Sequence, residues 1–349
     1  MKKTTIKMLA VAATVFGLSG AYAQGTAMTP QEQELYKAAQ AEGSLTWYTS
    51  QNATDKSEAQ CALFTTRYPG VKCNVVRATS QVIFQRLMQE IQAKSVHADV
   101  LSSNSEADFI ILKKQGALAS YKPENMKYVE PSIRDMGDKD GYWITSNVAP
   151  LGIGYNTKLV KPEDAPKTWS DLLDPKWKNQ VAIGHPGFSG SVGIWTAALL
   201  DLYGREYFEK LAKNKPQIGR SVLDGLNLVI SGERKIALVP LNNAEDQGRH
   251  GAPIAVVYPT DGSLLPPSGT AALKSAPHPN AARLFLDFTL GKESSKALAD
   301  EMRFPLRTDT AQPKDVPAFS SLKLLTIPSE KVIDSVNEAK ETFRDVFGI

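Results

Sequence analysis

Gly184-His185-Pro186-Gly187-Phe188-Ser189-Gly190-Ser191-Val192-Gly193-Ile194-Trp195 joins an apolar run, Gln180 to Ile183, to a second one, Val192 to Leu202. The first run has the length and composition of a strand, and the second has the apolar period of a helix. Ser189, Gly190 and Ser191 therefore sit where a strand hands over to a helix N-terminus. The first N–H groups of a helix have no intrahelical partner, and that end of the dipole is positive. Hydroxyls and glycine let an anion approach those donors closely. The same residues also serve as ordinary caps. What points beyond capping is that the pattern recurs along the chain.

Three such units stand earlier. Strand Leu45–Tyr48 runs into Thr49-Ser50-Gln51-Asn52 and a helix, Ser57 to Tyr68. Strand Val71–Val76 runs into Arg77-Ala78-Thr79-Ser80 and helix Gln81–Lys94. Strand Ala98–Leu101 runs into Ser102-Ser103-Asn104-Ser105 and a helix containing Phe109 and Leu112. Strand–helix alternation of this kind implies an α/β fold with a mostly parallel sheet covered on both faces. Ligands bind outside the carboxyl ends of such strands. Tyr142–Val148 and Pro150–Tyr155 read as successive strands that carry the chain into a second lobe. There the quoted stretch is followed by a helix capped by Ser221, by strand Lys235–Val239, and by a loop, Pro240-Leu241-Asn242-Asn243. Leu264 to Thr270 reads as the return path, and Ser329–Phe347 as a terminal helix.

The N-terminus reads as an export signal. Lys2, Lys3 and Lys7 precede an apolar stretch, Met8–Leu18, too short to span a bilayer, and Ala21-Tyr22-Ala23 fits a cleavage site. Residues 1–23 are thus expected to be removed and the protein to work in the periplasm. Removing three lysines from the 40 basic residues leaves 37, against 37 acidic ones. A balanced mature chain offers no argument for a nucleic-acid partner. In an exported chain the two cysteines, Cys61 and Cys73, are expected to form a structural disulfide closing a short loop.

Trp47-Tyr48-Thr49-Ser50, Ala98-Asp99-Val100, Leu151-Gly152-Ile153-Gly154-Tyr155-Asn156-Thr157, Asp174-Pro175-Lys176-Trp177, Ser231-Gly232-Glu233 and the run from Lys274 through His278-Pro279 to Asp287-Phe288 share order and spacing with a known family. Together they resemble the periplasmic solute-binding proteins of ABC importers, in the branch with ferric-ion, phosphonate and sugar-phosphate binders. The resemblance implies a type II periplasmic-binding fold: two α/β lobes, two crossing strands and a ligand cleft between the lobes. It places lobe 1 at 24–147 plus 268–320, lobe 2 at 148–267, and a C-terminal helical segment at 321–349. It also implies hinge closure on the ligand and docking of the closed form, expected to be a monomer, on a membrane permease.

Iron-binding members commonly carry a His after the first strand, a Glu after the third and a Tyr-Tyr pair in the second lobe. Here the first two positions are Asn52 and Asn104, and Leu241–Glu245 contains no tyrosine. Hard Fe³⁺ takes phenolate and carboxylate oxygens, whereas amides and hydroxyls suit a small organic anion: a carboxylate, phosphonate or phosphate ester. The expected contacts are Thr49, Ser50, Gln51, Thr79, Ser80, Ser102, Ser103, Asn104, Ser189, Gly190, Ser191, Asn242 and Asn243. Ser80 reads as the helix cap and Thr79 as the better contact. Arg77 and Arg220 are candidate cations but read as surface or structural ion-pair residues, and Tyr155 as core. His97, His185, His250 and His278 show no metal spacing, and no metal, cofactor or catalytic residue is expected. The alternatives are a ferric-iron binder and, more remotely, a serine hydrolase using Ser189 with Asp224 or Asp246 and His250. Against the latter, Ser191 stands where G-x-S-x-G requires glycine.

Overall fold

A computed structural model describes residues 27–266, 268–314 and 316–349. The expected signal segment, 1–23, lies outside them. The first unit contains α1 (Pro30–Glu42), β1 (Ser44–Thr49), α2 (Thr54–Arg67), β2 (Lys72–Arg77), α3 (Ser80–Gln92), β3 (Val100–Ser103), α4 (Glu106–Lys114), the short α5 (Pro131–Arg134) and β4 (Ile144–Asn147). The second contains β5 (Leu151–Asn156), β6 (Val181–Gly184), α6 (Gly190–Tyr203), α7 (Arg205–Lys213), β7 (Gln217–Gly219), α8 (Val222–Ser231), β8 (Ile236–Pro240), α9 (Leu241–Arg249), β9 (Ile254–Val257) and β10 (Ser263–Leu264). The chain then returns through β11 (Ser268–Ala272), α10 (Pro279–Thr289) and α11 (Lys292–Asp300), and ends with β12 (Leu324–Leu325) and α12 (Val332–Phe347).

Local chemistry sets these boundaries. Thr29 caps α1, its Oγ1 accepting the Glu32 N–H at 3.1 Å, with Pro30 in the first turn; Gly43 ends the helix at φ 75°, where a Cβ is disfavoured. Trp47 and Tyr48 are adjacent on β1 and fully buried, so they must face opposite sides of the sheet. Trp47 packs on Phe285, and Phe64 packs on Phe285 and Phe288, with ring centroids 5.0–5.3 Å apart. Tyr48 joins Ile83, Leu87, Leu101 and Phe109 on the other face. Helices covering both faces are what a largely parallel sheet requires.

The first sheet has the order β2-β1-β3-β11-β4, with β1 parallel to β2 and β3 and β11 antiparallel to both neighbours. The second has the order β12-β10-β5-β8-β6-β7, with β9 also on β5. Its core gathers Trp169, Trp195 and Phe208. The chain passes between the sheets after β4, again before β11, and a third time to reach β12. The tail is therefore more than a helical segment. Leu324 and Leu325 pair in parallel with Ser263 and Leu264, and Phe343 of α12 enters the second core.

Two boundaries differ from the sequence reading in ways that matter for the site. Strand β3 runs on through Ser103, so Ser102 and Ser103 are strand residues. Leu241 opens α9, so Asn242 and Asn243 occupy its first turn instead of a loop.

Cys61 on α2 and Cys73 on β2 are joined by a disulfide, with their Cα atoms 5.3 Å apart and a sequence separation of 12. It pins the helix whose N-terminus faces the second unit. Restricting so short a loop in the unfolded chain contributes about 3 kcal/mol. The double change Cys61→Ser, Cys73→Ser should lower the urea-unfolding free energy by about 2–4 kcal/mol; a loss below about 0.5 kcal/mol would remove the disulfide from the stabilising terms.

Candidate functional site

The carboxyl ends of the parallel strands in the two sheets face one another across a cavity of about 590 Å³, part of it open to solvent. The end of β2 supplies Arg77, and the segments that follow β1, β2 and β3 supply Ser50, Gln51, Asn52, Thr79, Ser80 and Asn104. Those after β6, β7 and β8 supply Ser189, Ser191, Ser221 and Asn243, the crossings add Asn147 and Ser268, and the turn after α11 adds Arg303. Among the described residues no carboxylate, imidazole, phenol or thiol lines it.

Eight of the expected contacts are in that wall: Ser50, Gln51, Thr79, Ser80, Asn104, Ser189, Ser191 and Asn243. Five are not. Thr49 is fully buried on β1, where its hydroxyl accepts the Gln51 N–H at 3.2 Å. Ser102 accepts the Trp47 indole N–H at 2.8 Å and shares a 2.6 Å hydrogen bond with Thr270. Ser103 donates to Asp108 at 2.8 Å. Both serines are thus consumed inside the sheet, as the extension of β3 requires. Asn242 lies in a neighbouring polar cleft with Lys56, Asp246 and Glu301.

Gly190 has another part to play. Its N–H donates to Ser80 Oγ at 3.3 Å, across the two units, and a Cβ there would stand 2.8 Å from the Asn104 carbonyl oxygen. The units also touch backbone on backbone, where Gln81 N–H donates to the Phe188 carbonyl at 3.3 Å, so the two units meet in a closed arrangement.

The expected division between Thr79 and Ser80 changes in detail. Thr79 stands at the cap position of α3 without capping it, and its Oγ1 is buried without a partner. Ser80 is the first helical residue and donates to Ser50 Oγ at 3.1 Å. Ser189 does cap α6, accepting from Val192 N–H at 3.5 Å.

The helix ends are not equivalent. Helices α3, α6 and α9 carry no acid in their first turns, whereas α4 carries Glu106 and Asp108. Burial pushes the Asp108 carboxyl up to about 6, while the Ser103 and Ser105 hydroxyls pull it back down. Acids of its own already occupy the positive end of α4.

The cations were the larger omission. Arg77, read from sequence as a surface or structural residue, lines the cavity, with Nε donating to the Asn52 carbonyl at 2.9 Å. Arg303 is 6% exposed; its Nη2 donates to Asn52 Oδ1 at 2.7 Å and to Asn147 Oδ1. Two guanidinium groups thus converge on one asparagine. Its nearest acid, Glu301, stands 3.3 Å from Arg303 Nη1. Burial holds both arginines below the usual guanidinium range. Arg303 Nε and Asn147 Nδ2, both donors, are buried without partners in the same wall. No local signal marks Arg303, which follows Met302, a residue at φ 59° just past α11. Asn52 carried a signal, standing where the sequence reading aligned the iron binders' histidine. The other cationic candidate, Arg220, lies over the Phe188 ring, 5.1 Å from its centroid.

Two α/β units whose strand ends meet over a small polar cavity define a solute-binding protein of the type II periplasmic fold. The chain belongs to the bacterial extracellular solute-binding protein family, whose model matches residues 98–335. The periplasmic binding protein AfuA of Actinobacillus pleuropneumoniae, solved with exogenous fructose-6-phosphate bound, is 25% identical. It superposes with a TM-score of 0.80 over 88% of this chain and 99% of its own. Iron-bound HitA of Pseudomonas aeruginosa is 26% identical, with a TM-score of 0.72 over 87% and 99%. A putative 2-aminoethylphosphonate-binding periplasmic protein of Salmonella typhimurium is 24% identical over 70% of this chain and 72% of its own.

The contact at Gly190 leaves no room for a side chain. Gly190→Ala should hold the units apart, giving a larger radius of gyration by X-ray scattering, with an unfolding free energy within about 0.5 kcal/mol of the parent. Unchanged scattering would mean that the units close on other contacts.

Proposed function

We propose that this protein is the periplasmic substrate-binding component of an ABC importer. It captures a small organic anion by closing two lobes on it and delivers it to the membrane permease. A phosphate ester or phosphonate fits the cavity better than a carboxylate. The observation that carries this reading is the pair of guanidinium groups, Arg77 and Arg303, converging on Asn52 in a wall without an acid. Arginine pairs strongly with phosphate and carboxylate oxygens, and buried cations need compensation. The acid-free ends of α3 and α6 add backbone donors and hydroxyls from the two sides of the cleft. A group with three terminal oxygens uses more of these donors than a carboxylate can.

The relatives named for iron and for phosphonate resemble this chain to similar degrees, so the choice rests on the wall. Amides, hydroxyls and guanidinium groups are poor ligands for Fe³⁺ and good partners for an anion. The proposed lobes are 24–147 with 268–320, and 148–267. The proposed role requires no chemistry: the anion binds the closed arrangement better than the open one and so shifts the equilibrium toward it.

Mature protein, unfolded and refolded to strip any carried ligand, should be stabilised by members of one organic-anion class. At about 100 times its dissociation constant a true ligand adds about 2.7 kcal/mol, a shift of several degrees. A response to ferric citrate alone would overturn the anion reading in favour of iron. With the responding anion in hand, Arg303→Met should abolish the shift. Ser189→Ala with Ser191→Ala should weaken binding about 10-fold or more, since hydrogen bonds to charged groups contribute about 1.5–3 kcal/mol each. An unchanged dissociation constant would take the α6 end out of the site.

A further inference from the structure

A chain of ion pairs runs from the cavity wall across the cleft, and the proposed capture of an anion leaves most of it unused. Glu301 places Oε2 3.3 Å from Arg303 Nη1 and Oε1 3.6 Å from Lys56 Nζ. Lys56, in the first turn of α2, reaches on to Asp246 Oδ2 at 3.2 Å. Lys56 and Glu301 belong to the first unit; Asp246 lies on α9 of the second. The Asp246 side chain is 9% exposed and that of Lys56 26%, so the pair is partly withdrawn from water. The neighbouring groups are Asp55 on α2 and His250, whose Nδ1 stands 3.5 Å from Asp246 Oδ1.

The contacts between α3 and the loop before α6 are neutral: Gly190 N–H to Ser80 Oγ and Gln81 N–H to the Phe188 carbonyl, both 3.3 Å. The contact between α2 and α9 is charged. We propose that Lys56 is a latch: its ion pair with Asp246 favours the closed arrangement from outside the ligand cavity. Lys56 is absent from the wall of that cavity, so the latch acts whether or not a ligand is present and whatever the ligand is. It sets the fraction of ligand-free protein already closed, and apparent affinity scales with that fraction. Its strength falls as salt screens the pair. Glu301, shared between Lys56 and Arg303, keeps the ammonium beside the cleft.

The test needs no ligand and is separate from the anion panel. Dyes attached through Lys114→Cys and Lys210→Cys, one in each unit, report open and closed populations of stripped protein by single-molecule energy transfer at pH 8. The native cysteines are held in their disulfide. Raising NaCl from about 20 mM to about 500 mM should lower the closed-to-open ratio of the parent. Lys56→Met and Asp246→Asn should each lower it about 2- to 5-fold at low salt, the range of a partly exposed pair. The double variant should be no lower than either single one, because the same contact is lost in all three. A parent that stays open at low salt would overturn the proposal. So would a ratio indifferent to both salt and Lys56→Met, or fully additive losses in the double variant. The salt response of the unaltered pair keeps the test decisive if a variant misfolds.

Discussion

A guanidinium with little access to water must be compensated by its surroundings, and the cleft of this protein is organised around that requirement. Arg303 is held by the side-chain oxygens of Asn52 and Asn147, which orient it without cancelling its charge. Its one carboxylate partner among the described residues, Glu301, stands outside the wall at 3.3 Å and is shared with Lys56. Arg77 reaches the backbone oxygen of the same Asn52. Among the described residues, the cavity wall therefore carries two guanidinium groups and no carboxylate, while Glu301 compensates Arg303 from the adjoining cleft. On the proposed function, an anion inside would add compensation that the empty cavity lacks. That difference is what a binding protein needs in order to close on its cargo selectively.

The helix ends around the cavity sort by a simple rule. Where the first turn holds no acid, as in α3, α6 and α9, no carboxylate of the helix itself fills its positive end. Where acids stand in the first turn, the protein has already filled the end. In α4, Asp108 takes the hydroxyls of Ser103 and Ser105. In α8, Asp224 takes the N–H groups of Arg220 and Ser221. The serines of this chain are numerous, and their count is no guide to the site. Many of them hold the sheets together, as Ser102 does between Trp47 and Thr270.

The alternation of strands and helices was legible because its periods are local, and so were the residues directly after β1, β2 and β6. Ser102 and Ser103 were misplaced because β3 continues two residues past its apolar stretch, through side chains that read as loop. Arg303, Asn147 and Ser268 could not be found in the same way. They come from the crossing segments and from the turn after α11, far from any loop that follows a parallel strand. Only the fold brings them to the wall. The acids in the first turn of α4 are a local signal for Ser103, whose hydroxyl Asp108 takes.

The closed cavity is bounded partly by backbone, and this limits what it can hold. Gly190 meets the carbonyl of Asn104 with no side chain between them, so that approach cannot be widened by a change of rotamer. A ligand too large for the space must hold the two units apart. It then forfeits the Gly190–Ser80 contact and moves the α6 hydroxyls away from the arginines of the first unit. On the proposed function, size selection would follow from the same closure that brings the two walls together. Helix α2 makes the coupling stiff: Asn52 orients both arginines just before it begins, Lys56 crosses to Asp246 in its first turn, and Cys61 ties it to β2. On the proposed function, a helix anchored in this way would couple an ill-fitting anion to the arrangement of the two units, so that it would be rejected there and not by one clashing side chain.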